Sequence, residues 1–147
     1  MSRLIAIIFG IFLILTGIAL PADALGINEG DLGNCPASQN CVVSQDADVK
    51  HAIDPISYHV DRDTARKTLL KVLTVVPRTQ VVEQTDNYIH ALCKSRIFRF
   101  VDDVEFYFPE NENVIHIRSA SRVGESDLGV NRRRMEQIRL ALRDLNI

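Results

Sequence analysis

Two stretches of alternating apolar and polar residues, DVEFYF and NVIHIRSAS, constrain the fold more than any other feature of this chain. A period of two is typical of β-strands, and the polar residues 110–113 between the stretches predict a hairpin turn. A four-residue loop places Phe106 opposite Ile117 and Glu105 opposite Arg118. A loop one residue longer or shorter would mix the apolar and polar faces, so burial of one face selects this register.

The segments around this hairpin predict two helices and further strands. TQVVEQT and YIHALCKS flank Asp86-Asn87, a pair suited to a tight turn. DRDTARKTLLKVLTVVP predicts a helix with Asp61 as N-cap and Pro77 as its end. A second helix is expected over 131–144, with an apolar stripe formed by Met135, Ile138, Leu142 and Leu145. These elements predict an α+β fold: an antiparallel sheet of four or five strands with both helices on one face, SYHV being the optional strand.

The N-terminus contains one basic residue, Arg3, and then an uncharged apolar run from Leu4 to Leu20. As a helix this run would reach only about 25 Å, slightly less than the roughly 30 Å of a bilayer core. Ala22-Asp23-Ala24 fits the small-x-small pattern of signal peptidase sites. Residues 1–24 are therefore expected to be a signal peptide or an N-terminal membrane anchor. Either one predicts an exported domain, in the periplasm, in the thylakoid lumen or anchored at the extracytoplasmic membrane face.

The rest of the chain is expected to comprise a Cys-containing irregular segment over 25–57 and the α+β domain over 58–147. The first is rich in Gly, Asn, Asp, Ser and Pro and shows no sustained period. In an oxidising compartment, Cys35 and Cys41 predict a disulfide that closes a small polar loop, and a metal site there has little support because no histidine lies at suitable spacing. Cys93 falls in an apolar strand pattern and predicts a buried free thiol.

Charged residues concentrate in two stretches, KSRIFRFVDDVEF and RSASRVGESDLGVNRRR. The net charge of −2 offers no general attraction to nucleic acid or an anionic membrane, so any electrostatic function must come from such clusters. Arginine suits phosphate and carboxylate ligands because its planar fork donates two parallel hydrogen bonds. The candidate ligand-binding residues are Arg96, Arg99, Asp103, Glu105, Arg118, Ser119, Ser121, Arg122, Asp127, Asn131 and Arg132. A self-satisfied network of salt bridges would explain the same cluster without a ligand.

Known catalytic patterns do not match the sequence. Asp102 and Asp103 are adjacent, so on a strand they point to opposite faces and cannot act as a carboxylate pair. No nucleophile elbow, P-loop or dinucleotide-binding fingerprint is present, and RNA-binding signatures are missing. The sequence implies no cofactor, no metal and no nucleic-acid partner.

The stretches CPASQNCVVSQ, SRIFRFVDDVEF and IHIRSASRVGESDLGVNRRR, with the spacing between them, resemble the bacterial and chloroplast family catalogued as domain of unknown function 1499. The resemblance covers roughly residues 34–145, and it is specific because the motifs occur together. It implies secreted, lipoprotein or membrane-attached relatives and no defined activity.

Three hypotheses of function remain open at this level. The first is a non-catalytic binding module whose Arg96, Arg99, Arg118 and Arg122 meet an anionic small molecule or lipid headgroup. The second is a structural or assembly partner of a membrane protein complex. The third is an enzyme of unrecognised mechanism, in which Asp103, Glu105 and His116 would act with Arg118 as electrostatic stabiliser.

Overall fold

The computed structural model describes residues 25–147, so the predicted signal peptide or anchor over 1–24 lies outside the described residues. The helices are α1 (Arg62–Val75) and α2 (Val130–Asp144). The strands are β1 (Ile27–Asn28), β2 (Asp31–Leu32), β3 (Cys41–Val43), β4 (Ile56–Ser57), β5 (Thr79–Gln84), β6 (Tyr88–Lys94), β7 (Val101–Tyr107) and β8 (Val114–Ser121). Among these residues no helix is long and apolar enough to cross a membrane.

One antiparallel sheet forms the centre of the domain. Its strands lie in the order β3-β8-β7-β6-β5, and β4 pairs with another part of β8, while β1 and β2 form a separate small hairpin. The predicted register of the β7–β8 hairpin is confirmed, with Phe106 opposite Ile117 and Glu105 opposite Arg118. The same register extends to β6, where His90 lies opposite Glu105. Three strands therefore align their polar residues on one face.

Both helices pack on the apolar face of the sheet, as predicted for an α+β fold. Leu69 and Leu73 of α1 and Met135 and Ile138 of α2 are buried with the apolar side chains of β6, β7 and β8. The Asp61 carboxylate caps α1 by accepting hydrogen bonds from the backbone N–H and hydroxyl of Thr64. Burial of this apolar surface is the main source of the domain's stability.

The predicted apolar stripe of α2 was wrong at its last member. Leu145 is 55% exposed, whereas Leu142, one turn earlier, is 1% exposed. The helix ends at Asp144, and Leu145 as its C-cap has φ −90° and ψ 10°. Because this backbone leaves helical geometry, helical spacing no longer directs the side chain to the core.

The segment 25–57 is more ordered than its composition indicates. Its strand β3 extends the sheet beside β8, and Val42 joins the main core. The hairpin of β1 and β2 covers the polar face of the sheet, where Leu32, Val43 and Tyr88 form a second small core. The predicted Cys35–Cys41 disulfide is confirmed. The segment is thus pinned to both faces of the sheet and to its own disulfide.

Candidate functional site

A buried ion pair occupies the centre of the polar sheet face. Glu105 is 0% exposed and Arg118 is 3% exposed, and Arg118 Nη1 donates to Glu105 Oε2 over 2.7 Å. Glu105 Oε1 accepts two more hydrogen bonds, from the Tyr88 hydroxyl and from the backbone N–H of Gly26. Burial raises the pKa of Tyr88 most, and the hydrogen bond from its hydroxyl to Glu105 raises it further, so Tyr88 remains a hydrogen-bond donor. Glu105 is therefore fully engaged within the protein and has no access to solvent.

Asp103 forms a second ion pair, at the edge of the same face. Its carboxylate accepts hydrogen bonds from Nε and Nη2 of Arg122 at 2.8 and 2.9 Å, and His90 Nε2 lies 2.8 Å from its Oδ1. Burial alone would raise the pKa of Asp103, but the bonds to His90 and Arg122 outweigh it and hold that pKa well below its usual range. The same carboxylate raises the pKa of Arg122. The Arg122 side chain remains 49% exposed.

The serines of the candidate set lie on the opposite face, under α2. Ser119 is opposite Val104 in the register, is fully buried and donates its hydroxyl to Asn131 Oδ1. Arg134 reaches into the same place, where it bonds Asn131 Oδ1 and pairs with Asp102 Oδ2 at 2.6 Å. The predicted placement of the two neighbouring aspartates on opposite faces is thus confirmed. The sheet itself separates Ser119 from the Glu105–Arg118 pair.

Asp127 and two asparagines hold the junction between β8 and α2. Asp127 accepts hydrogen bonds from the backbone N–H groups of Gly129 and Asn131, at the positive end of the α2 dipole. The Asn131 amide group donates to the Asn40 carbonyl, to the Ser121 hydroxyl and to Asp127. Asn40 in turn donates to the carbonyls of residues 123 and 124. The disulfide loop and the junction are therefore one hydrogen-bonded unit.

Arg132 points away from this unit and binds the N-terminal segment. Its two terminal nitrogens donate to the carbonyls of Ala52 and Lys50 at 2.8 and 3.1 Å. Nearby, His51 is buried and contacts the Ser38 carbonyl through Nε2 and the Asp48 carboxylate through Nδ1. The contact with Ser38 and then that with Asp48 raise the pKa of His51. These contacts fasten the segment before α1 onto the domain.

Arg96 and Arg99 lie elsewhere, in the exposed β6–β7 loop (95–100). Within residues 25–147 their side chains form no salt bridge and donate no hydrogen bond to another protein group. Ser95 closes the loop, because its backbone N–H donates to the Phe100 carbonyl and its hydroxyl accepts from the Phe100 N–H. Arg99 has a positive φ of 54°. The loop is thus a closed turn that presents two uncompensated arginines to solvent.

A cleft of about 350 Å³ opens beside this loop, between the C-terminal end of α1, the end of β6 and the first turns of α2. No Asp or Glu of the described residues lines it, and Cys93 lies at its base, where burial raises the pKa of the thiol. We call it the cationic cleft, after the basic residues that line it: Arg78, Lys94, Arg96, Arg133 and Arg134.

Three cations of the cationic cleft already have protein partners and two have free charged groups. Arg134 pairs with Asp102, Arg133 Nη1 donates to the Leu128 carbonyl, and Arg78 Nε donates to the Lys94 carbonyl. The side chains of Lys94 and Arg96 make no such bond within residues 25–147. The cleft therefore combines positioned guanidinium groups with cations that can turn towards a ligand.

The structure thus divides the predicted site residues into separate groups and adds others. The ion pairs Glu105–Arg118 and Asp103–Arg122 lie on the polar sheet face. The opposite face and the junction contain Ser119, Ser121, Asp127 and Asn131. Arg132 binds the N-terminal segment. Of the predicted site residues, only Arg96 lines the cationic cleft. The other basic residues of the cleft come from parts of the chain that meet only in the fold, and sequence reasoning therefore missed all four of them: Arg78, Lys94, Arg133 and Arg134.

Among residues 25–147, no group of three or more His, Cys, Asp or Glu side chains is placed to hold a metal ion. No curated protein and no solved structure matches the chain. The family model described as "Protein of unknown function (DUF1499)" matches residues 31–142. That match spans every strand of the described residues except β1, all of α1, α2 as far as residue 142, and the disulfide, and the chain belongs to this family.

Proposed function

We propose that this protein is an exported, non-catalytic binding module, and that it holds an anionic small molecule or lipid headgroup in the cationic cleft. One observation carries the proposal: five basic side chains line the cleft and no carboxylate of the described residues joins them. On the polar sheet face, by contrast, Glu105 compensates Arg118 and Asp103 compensates Arg122. A cluster of like charges is unfavourable unless an anion neutralises it.

The chemistry of the cleft favours a phosphate or carboxylate group. Guanidinium forks give bidentate hydrogen bonds to such oxygens, and a lysine ammonium adds a mobile point charge. The thiol at the base, Cys93, is kept neutral by its raised pKa and so does not compete with an incoming anion. The volume of about 350 Å³ suits a headgroup or a small metabolite.

The polar sheet face supports a structural role better than catalysis. Glu105 is enclosed, and the low pKa of Asp103 keeps it ionised at neutral pH, where it cannot act as a general acid. Burial lowers the pKa of His116, and its Nδ1 lies 3.2 Å from the Ser44 hydroxyl. The three residues that the enzyme hypothesis assigned to catalysis, Asp103, Glu105 and His116, therefore all have bonding partners within the protein. The fourth, Arg118, is the buried partner of Glu105.

Export is supported by the disulfide and by the sequence of the N-terminus. Disulfides persist in oxidising compartments and are rare in the cytosol. The apolar run that ends at Leu20 and the small residues up to Ala24 fit a signal peptide or an anchor. A protein exported in this way would face a membrane surface, where lipid headgroups carry phosphate.

Calorimetric titration with inorganic phosphate tests the proposal, using the full chain in an uncharged detergent at low ionic strength. The double variant Lys94→Gln/Arg96→Gln removes two cleft charges that have no protein partner within residues 25–147. Charged hydrogen bonds contribute roughly 1.5–3 kcal/mol each, so its affinity is expected to fall at least about tenfold. Lys50→Gln/Lys67→Gln removes two exposed charges outside the cleft and should leave affinity nearly unchanged. Equal affinities of both variants and wild type, or no phosphate binding at all, would contradict the proposal.

A further inference from the structure

The β6–β7 loop exposes large apolar side chains to solvent. Ile97 is 79% exposed, Phe98 73% and Phe100 49%, and the two phenylalanine rings stack with centroids 5.5 Å apart. Because Ser95 closes the loop at both backbone groups of Phe100, these side chains are held outward together. A contiguous exposed apolar patch of this kind marks an interaction surface.

Cations alternate with these apolar residues. Lys94, Arg96 and Arg99 flank Ile97 and Phe98, and residues 94–101 contain no Asp or Glu. The next acidic residue, Asp102, is turned inward and paired with Arg134. Apolar side chains interleaved with Lys and Arg are the pattern of elements that lie in the interface of anionic membranes.

The neighbouring loop at the same end of the sheet also exposes apolar side chains. Asp102 lies opposite both Cys93 and Ser121. The end of β6, the start of β7 and the end of β8 therefore lie at the same end of the sheet. The loop that leaves β8 there exposes Val123 and Leu128, at 53% and 84%. The cationic cleft lies at this end of the sheet too, because Lys94, Ser95 and Arg96 line it. The turn at 109–113, at the opposite end of the sheet, exposes no large apolar side chain.

We propose that the β6–β7 loop inserts into an anionic lipid bilayer and so brings the cationic cleft to the level of the headgroups. Ile97, Phe98 and Phe100 would enter the acyl boundary, while Arg96 and Arg99 would contact lipid phosphates. This identifies the source of the anion as a membrane surface. The headgroup part of the inference rests on the proposed function of the cleft, whereas insertion of the loop does not.

A bilayer explains this surface better than a protein partner does. A protein would need a concave apolar site lined by carboxylates to match both Phe98 and the arginines on either side of it. An anionic bilayer supplies apolar depth and negative charge together. Each basic side chain near such a surface adds to the attraction, which falls within one Debye length and weakens with salt.

Fluorophore depth measurements test the inference on the full chain reconstituted in liposomes. A polarity-sensitive dye is attached through Ile97→Cys. In a matched control it is attached through Asn111→Cys, in the turn at the opposite end of the sheet. Cys93 is buried and the other two cysteines are bonded, so labelling is directed to the new thiols. Because both labelled proteins share the same N-terminus, membrane attachment through residues 1–24 affects both alike.

In phosphatidylcholine vesicles that contain phosphatidylglycerol, the label at position 97 is expected to enter an apolar environment and to be quenched by brominated lipids. The label at position 111 should stay in water. Adding Phe98→Ser and Phe100→Ser to the labelled chain should shift the insertion equilibrium at position 97 towards water at least about tenfold. Omitting phosphatidylglycerol or adding salt should do so as well.

The outcomes separate this inference from the proposed function. A label at position 97 that stays in water in every vesicle, or that behaves like the label at position 111, would overturn insertion even if the cleft binds phosphate. Insertion at position 97 supports the inference about the loop even if Lys94→Gln/Arg96→Gln leaves phosphate affinity unchanged, and in that case only the cleft loses its role.

Discussion

Removing Arg118 should destabilise the domain strongly, because it leaves Glu105 charged and enclosed without a cation. Glu105 is 0% exposed and its partner 3% exposed, with 2.7 Å between the bonded atoms. Breaking a buried pair on one side costs about 3–5 kcal/mol, which is a large part of the roughly 5–15 kcal/mol that holds a domain together. We therefore expect Arg118→Met to lower the free energy of unfolding by about 4 kcal/mol.

Urea denaturation followed by circular dichroism measures this loss. With a slope of about 2 kcal/mol per M, the midpoint should fall by about 2 M. The double variant Arg118→Met/Glu105→Gln should recover part of the loss, because the amide oxygen can still accept from Tyr88 and Gly26 and no buried charge remains. Arg122→Met is the matched control. Its side chain is 49% exposed, so the loss should stay within about 1 kcal/mol.

A loss of less than about 1 kcal/mol in Arg118→Met, or a double variant no more stable than the single one, would contradict a structural role for this ion pair. Either result would mean that Arg118 is not the internal partner of Glu105. It would then be available for a ligand, as the sequence first indicated.

Three further predictions concern the N-terminal segment and the edge of the sheet. Cys35→Ser/Cys41→Ser should lower the free energy of unfolding by about 2 kcal/mol in urea titrations, because the loop that the bond closes is short. His51 has a raised pKa, so its stabilising contribution is complete below about pH 6.5 and is lost as pH rises through the higher folded value; His51→Gln should flatten thermal stability measured across that range. Asp103 has a lowered pKa, so its contribution is complete above about pH 3.9 and is lost as pH falls through the lower folded value. Arg122→Gln should raise that pKa and move acid unfolding, followed by circular dichroism, to higher pH.

The hairpin register could be predicted from sequence because burial of one face excludes every alternative. The pairing of Glu105 with Arg118 followed directly from it. The same register also placed Ser119 opposite Val104, on the apolar face, and so it already separated the serines from the acidic face. A single candidate set that contains both Ser119 and Glu105 is inconsistent with this register, and Ser119 is instead a partner of Asn131.

Other features could not be predicted because they depend on contacts distant in sequence. The three residues of β3 carry too little pattern to predict a strand, and they form one only by pairing with the free edge of β8. The cationic cleft likewise combines Arg78, Lys94 and Arg133 from separate elements. The exposed fractions of Phe98 and Phe100 depend on a loop closed by Ser95, and alternation alone would have assigned these residues to a strand.

Native mass spectrometry of the protein purified gently from its own host tests the central claim most directly. We expect a bound anionic molecule that carries a phosphate or carboxylate group, retained by the wild type and lost from Lys94→Gln/Arg96→Gln. The protein mass in the same spectrum would report whether cleavage follows Ala24 and whether the Cys35–Cys41 bond is present. A bare protein mass for both forms, or equal retention of the ligand by both, would contradict the assignment of the cationic cleft as the binding site.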